Sequence, residues 1–139
     1  METNNHPVKI LIVDDHPENL LALKAILDQP GQVVVKAHSG REALRCLLNE
    51  DFALILLDVE LGDMDGFEVA AMIRGRQRSS GVPIIFLTAV SKSETQVFHG
   101  YSVGAIDYLF RPFAPEVLRC KVARFCQPLS NDRADKAAG

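Results

Sequence analysis

Apolar residues along the chain fall into five short runs: Val8–Val13, Val33–Val35, Phe52–Leu57, Pro83–Leu87 and Ile106–Phe110. Most are continuous rather than alternating, and they are rich in Val, Ile and Leu. Strands buried on both faces read this way, which predicts a parallel sheet lying between layers of helices. Between the runs the apolar spacing changes to three and four. Pro17 suits a first helical position, and Leu20, Leu23 and Leu27 then share one face until Gln29-Pro30-Gly31. Ser39-Gly40-Arg41-Glu42 has capping-box spacing ahead of Ala43, Leu44, Leu47 and Leu48. Asp65-Gly66-Phe67-Glu68 repeats that spacing and opens a third helix. Ser91-Lys92-Ser93-Glu94 opens a fourth, and Pro115-Glu116 a fifth carrying Val117, Leu118, Val122 and Phe125. The fourth is the weakest: its apolar side is only Val97, Phe98 and Tyr101, and Gly100 costs it about 1 kcal/mol relative to alanine.

Regular β-α alternation with short connections implies right-handed crossovers and an α/β, doubly wound sheet. A five-stranded version has the order 2-1-3-4-5, with its crevice at the carboxyl ends of strands 1 and 3. The expected boundaries are an arm over residues 1–7, a folded domain over 8–126, and a tail or linker over 127–139, where only Leu129 is large and apolar.

Composition narrows the function classes. The chain has 139 residues, 47% of them hydrophobic, which suits one globular domain with a real core. No apolar run approaches the ~20 residues of a membrane span, and the first residues lack an export signal, so a cytoplasmic location is expected. A net charge of −3 without a basic cluster argues against nucleic acid. Cys46, Cys120 and Cys126 form no C-x-x-C pair, and the four histidines are scattered. No zinc-ligand spacing results, and the cysteines read as small hydrophobes on helices.

The chemistry gathers at the strand ends. Strand 1 runs into Asp14-Asp15, strand 3 into Asp58, strand 4 into Thr88-Ala89, and strand 5 through Tyr108 into Arg111-Pro112. Three carboxylates converging on one crevice repel each other unless a cation shares the site. Hard oxygen ligands suit Mg²⁺, which recruits phosphate oxygens, and a hydroxyl and a guanidinium on the same rim can hold those oxygens. The expectation is Mg²⁺-assisted phosphoryl chemistry on a carboxylate.

The set Asp14-Asp15, Asp58, Thr88-Ala89 and Arg111-Pro112-Phe113 resembles the receiver domains of two-component response regulators. Asp65-Gly66-Phe67, Gly104-Ala105 and Tyr108 add to the likeness, which spans about Val8 to Phe125. The stretch from Gly104 to Val122 is most similar to receivers of hybrid sensor kinases. The resemblance implies a flavodoxin-like (βα)5 fold and a phosphoacceptor role for Asp58. It implies Mg²⁺ held by Asp15, Asp58 and the backbone carbonyl of Glu60, with Asp14 acting through water. It further implies that Thr88, Ala89, Tyr108 and Arg111 bind the phosphoryl group or switch with it, and that Arg111-Pro112 is a candidate cis peptide. The expected partners are a histidine kinase or histidine phosphotransfer protein and an unidentified downstream protein. The face of the fourth helix, fifth strand and fifth helix is open to a homodimer or to such a partner. No enzyme activity beyond self-phosphorylation and self-dephosphorylation is expected, and neither nucleic acid nor membrane.

Arg111 departs from the pattern, since the family carries lysine there. Arginine keeps the charge but is planar, bulkier and forked, so the exchange is not conservative at a tight site. Gly62 stands where proline is usual, and Glu60 and Val90 border the pocket at variable positions. His16, beside the acidic pair, reads as a turn residue because Mg²⁺ prefers oxygen. Two other functions compete. A phosphorylation-independent pseudo-receiver, acting as a binding module, rests on Arg111 alone. A nucleotide-dependent enzyme would need G-x-G-x-x-G or G-x-x-x-x-G-K-[ST], and an aspartate phosphatase would need Asp-x-Asp on strand 1; neither occurs.

Overall fold

The computed structural model describes residues 7–88 and 107–126. The strands are β1 (Val8–Val13), β2 (Gln32–Ala37), β3 (Leu54–Asp58), β4 (Ile84–Thr88) and β5 (Asp107–Phe110). The helices are α1 (Pro17–Leu27), α2 (Gly40–Asn49), α3 (Gly66–Gly75) and α4 (Pro115–Phe125), with a single 3₁₀ turn at Gln77–Ser79. The helix expected from Ser91, Ala89, most of the N-terminal arm and the tail lie outside the described residues.

All strand pairs are parallel, in the order β2-β1-β3-β4-β5. Successive side chains alternate between the two faces, so the sheet builds two cores. Leu11, Val13, Ile55, Leu57 and Phe86 pack beneath the α2 and α3 side, with Ala43, Leu47, Val69 and Ile73. Ile10, Ile12, Leu54, Leu56 and Leu87 face the other way, onto Leu20, Leu23, Leu118 and Val122. Each fully buried Leu or Ile contributes roughly 1.5–3 kcal/mol of transfer free energy.

Burial on both faces holds for the inner strands and fails at the edges. Every residue of β3 and β4 is buried, whereas β2 is mostly half-exposed and β5 is buried only at Tyr108 and Leu109. An edge strand has one neighbour and incomplete helix cover, which a continuous apolar run does not reveal. Cys120 is likewise exposed rather than packed as a small hydrophobe, while Cys46 and Cys126 are half-buried. Burial pushes the thiols of both half-buried cysteines above their usual range, Cys126 to about 11, which keeps them inert.

Two strand ends sit later than the apolar runs suggest, and the shift matters. β3 extends to Asp58 and β4 to Thr88, each still paired, Asp58 with Leu87 and Thr88 with Phe110. Both polar residues are therefore held by the ladder itself. Beyond β3 the chain turns back at once: the Gly66 amide donates to the Val59 carbonyl at 2.7 Å. A Cβ at Gly66 would lie 2.3 Å from the Asp58 carbonyl oxygen, so only glycine allows this approach.

The helix caps complete the frame. Asp65 forms the full capping box with Glu68. At α2 the box is split: Ser39 accepts from the Glu42 amide, but the Glu42 carboxylate accepts from the His38 amide instead of that of Ser39. The remaining α2 donors find a partner from another element. Asp63, in the β3–α3 loop, accepts from the amides of Gly40 and Arg41, each at 3.0 Å. Partial burial opposes its ionisation, but these bonds outweigh that and hold the Asp63 carboxyl below its usual range. Asp63→Ala is expected to destabilise the fold by about 0.5–2 kcal/mol in urea unfolding, the range for a lost helix cap. The lowered pKa places this contribution above the ordinary carboxylate range, lost as pH falls through the folded value. Equal stabilities of variant and wild type at pH 7 would contradict it.

Candidate functional site

The crevice predicted at the switch between β1 and β3 is where the polar rim residues meet. Asp14 follows β1 directly and is fully buried, although its side chain is a carboxylate. Four donor contacts explain how. Oδ1 accepts from the His16 amide at 2.9 Å and lies 3.2 Å from His16 Nδ1. Oδ2 accepts from Asn19 Nδ2 at 3.1 Å and from Arg111 Nη2 at 2.7 Å. Buried charges persist only when paired and hydrogen-bonded, and Asp14 meets that condition within the protein.

Asp58, at the end of β3, is 6% exposed. Its Oδ1 accepts from the Glu60 amide at 2.8 Å, and its Oδ2 faces Arg111 Nη1 at 3.3 Å, a longer and weaker contact. Burial pushes its carboxyl up to about 6; the negative charge of Asp14 adds to this, while the Glu60 amide and Arg111 oppose it. Arg111 thus straddles two carboxylates, and its short arm goes to Asp14 rather than Asp58. The Arg111–Pro112 peptide is cis.

Asp15 and Thr88 have spare capacity. Asp15 Oδ1 and Thr88 Oγ1 are buried and accept or donate no hydrogen bond among the described residues. His16 Nδ1 lies 3.0 Å from Asp15 Oδ1 but is poorly aimed at it. Hydrogen bonding to Asp14 and the charge of Asp15 raise the His16 imidazole above its ordinary value. Asp15 Oδ2 points towards the β3–α3 loop, 3.3 Å from where a Cβ on Gly62 would sit. Buried polar atoms with no partner call for a ligand or water. Here the atoms without a hydrogen bond are one carboxylate oxygen and a hydroxyl, which suit a hard cation and an oxyanion respectively.

Tyr108 lies inside the fold, 5% exposed, with its ring 5.5 Å from Phe86 and stacked at 5.9 Å on Phe110. The two-residue period of a strand puts Thr88 on the same face as Phe86 and its register partner Tyr108. Of the residues singled out from the sequence, the structure brings Asp14, Asp58 and Arg111 into direct contact and places Asp15 and Thr88 on the same rim. Glu60 contributes its amide to Asp58 through the turn, and its short bridge with Asp65 closes that loop. Ala89 lies outside the described residues.

Sequence reasoning missed Asn19 and underrated His16. Asn19 is five residues beyond Asp14, so the first turn of α1 folds it back over the end of β1; that spacing was the available signal. Beside it an apolar cavity of about 450 Å³ opens between α1 and the segment after β5, lined by Leu23, Ile26 and Phe113 with Asn19 and Arg111 at its polar edge.

Three comparisons bear on this arrangement. The family profile described as the response regulator receiver domain matches residues 10–123. The transcriptional regulatory protein SrrA of Staphylococcus aureus is 39% identical over 115 residues, covering 81% of this chain and 46% of its own length. Among solved structures, the chemotaxis protein CheY4 of Vibrio cholerae superposes with a TM-score of 0.80 at 32% identity, covering 86% of this chain and 98% of CheY4. The receiver domain of a sensor histidine kinase from Pseudomonas aeruginosa, solved with a magnesium ion in its active-site cleft, gives 0.78 at 30% identity, covering 88% and 99%. The chain spans less than half the length of the curated relatives it matches.

The raised Asp58 carboxyl has a measurable consequence. A folded-state value near 6 against an ordinary 3.8 means the ionised form is disfavoured by folding. Both states carry the proton well below pH 4, and the destabilisation grows as pH rises towards 6 and then levels off. In metal-free buffer Asp58→Asn should therefore be more stable than wild type at pH 7.5, by roughly 1–3 kcal/mol. The two should converge near pH 3.5 to 4. Urea unfolding at both pH values decides this, and a variant less stable than wild type at pH 7.5 would refute it.

Proposed function

The chain belongs to the response regulator receiver domain family of two-component signalling, and on that footing we propose that it takes a phosphoryl group onto Asp58 from a phosphohistidine protein. The observation that carries the reading is the Asp58 carboxylate itself. It is buried at a paired strand end, aimed by the Glu60 amide, and met by Arg111 and Asp14 on the same rim. Its pKa near 6 leaves it mostly ionised at neutral pH, as a nucleophile must be.

In the reaction, a carboxylate oxygen of Asp58 attacks phosphorus, the phosphorus–nitrogen bond to the donor imidazole breaks, and the imidazole leaves with the bonding pair and takes up a proton. Arg111, already facing Asp58 Oδ2, then meets the phosphoryl oxygens, and the unpaired hydroxyl of Thr88 supplies another contact. The open oxygen of Asp15, together with Asp58 and the Glu60 carbonyl, would hold Mg²⁺, with Asp14 acting through water. When bound, the ion offsets the charge gathered around the phosphoryl group. Tyr108 lies inside the fold on the same face of the sheet as Thr88, and a phosphoryl–Thr88 bond would link the site to β5 through this pair. Output would pass to a partner protein on that side of the fold or to another domain, and the likeness to a magnesium-bound kinase receiver supports the metal in this role.

A phosphorylation-independent binding module fits less well. It has no use for a buried hydroxyl at Thr88 that finds no hydrogen-bond partner among the described residues, which costs folding free energy.

Intact mass after incubation with acetyl phosphate tests the proposal. A Mg²⁺-dependent adduct of one phosphoryl group is expected on wild type and none on Asp58→Asn; absence of the adduct with both acetyl phosphate and a phosphorylated histidine phosphotransfer protein would overturn it. Arg111→Lys should phosphorylate at least threefold faster, because an ammonium is not tied by a second arm to Asp14. Equal rates would show that the fork imposes no cost.

A further inference from the structure

Asp14 Oδ2 is shared by two donors, the Arg111 guanidinium at 2.7 Å and the Asn19 amide at 3.1 Å. This sharing decides where the fork can sit. A guanidinium beside a carboxylate tends to form two parallel bonds to it, one to each oxygen. His16 blocks that pose at Oδ1, and Asn19 blocks the other way of closing onto Asp14, with both arms of the fork on Oδ2. Asp14 Oδ1 is taken by the His16 amide and ring, and one lone pair of Oδ2 is taken by Asn19. Arg111 is left with a single position on Asp14, so its other nitrogen is free to turn to Asp58 Oδ2. Asn19 is neutral and brings no charge that would compete with Arg111 for either carboxylate.

We propose that Asn19 is a positioning residue for Arg111, holding the guanidinium in the straddling pose that reaches Asp58 and keeping it from closing onto Asp14. The inference rests on the phosphoacceptor reading of Asp58 for its effect on rate, but the pose itself does not depend on that reading. Lysine at position 111 would have no fork to orient, so the requirement for Asn19 belongs to arginine. The two residues form a functional pair across 92 positions of sequence, joined only through Asp14.

A double-mutant cycle on the full chain tests this, with Asn19→Leu and Arg111→Lys. Leucine is close in size to asparagine, lacks the donor, and sits at the edge of an apolar cavity that accepts it. Asn19→Ser, too short to reach Oδ2, serves where the leucine variant fails to fold. With Arg111 present, loss of Asn19 should slow acetyl phosphate labelling of Asp58 by about tenfold. In the Arg111→Lys background the same change should alter the rate by less than twofold. Equal losses in both backgrounds would assign Asn19 a merely structural role and overturn the proposal, as would no loss in either.

The guanidinium proton signals of Arg111 in ¹⁵N-resolved NMR give a readout without phosphoryl transfer. Wild type should show separate, slowly exchanging Nη groups, and Asn19→Leu should shift both. Should wild type accept no phosphoryl group, the proposed function falls while these signals still decide the pose: unchanged Nη signals in the variant would refute it.

Discussion

Everything at the rim follows from one electrostatic constraint: buried carboxylates on adjacent parallel strands, with a single guanidinium between them. Strand pairing brings the ends of β1 and β3 together whatever residues stand there, so Asp14 and Asp58 cannot move apart to relieve their repulsion. The charge is instead managed by bonds. Asp14, fully buried, meets four donor contacts. Asp58 receives only an amide and one long arm of Arg111, and burial pushes its carboxyl up to about 6. The site is thus divided between a carboxylate with four donor contacts and one with two among the described residues.

The scaffold supplies that division by close contact around β3. Asp58 and Thr88 are the last paired residues of their strands, which makes the carboxylate and the neighbouring hydroxyl as rigid as the sheet. Gly66 lets the following turn close against the Asp58 carbonyl, and Asp63 in the same loop caps α2. From the rim, Thr88 leads through strand pairing to β5, and the turn after β3 leads through Asp63 to the start of α2. Arginine at position 111 ties the site more firmly to α1, because its stronger contact is made on Asp14, beside Asn19.

Much of this was legible in the linear pattern. Continuous Val, Ile and Leu runs announced the inner strands, and Pro17, Ser39, Asp65 and Pro115 marked helix starts at the right places. Asp14, Asp15, Asp58, Thr88 and Arg111 were identified because polar residues that end apolar runs of a doubly wound sheet share one rim. What escaped was local geometry. The edge strands are half-exposed, Glu42 bonds to His38 rather than closing its box, and Asp63 caps a helix 23 residues earlier in the chain. Each depends on which neighbour happens to lie alongside.

The sequence by itself determined the α/β alternation, the strand order and the identity of the rim residues, because these follow from hydrophobic periodicity and from rules of connection that need no coordinates. Only the tertiary structure decided how the charges are paired. Arg111 and Asp14 are 97 residues apart, and whether the guanidinium favours Asp14 or Asp58 turns on differences of half an ångström. Hydrogen bonds act over such short distances and in fixed directions that the packing of α1, the β3 turn and the segment after β5 must be complete before any pairing is set.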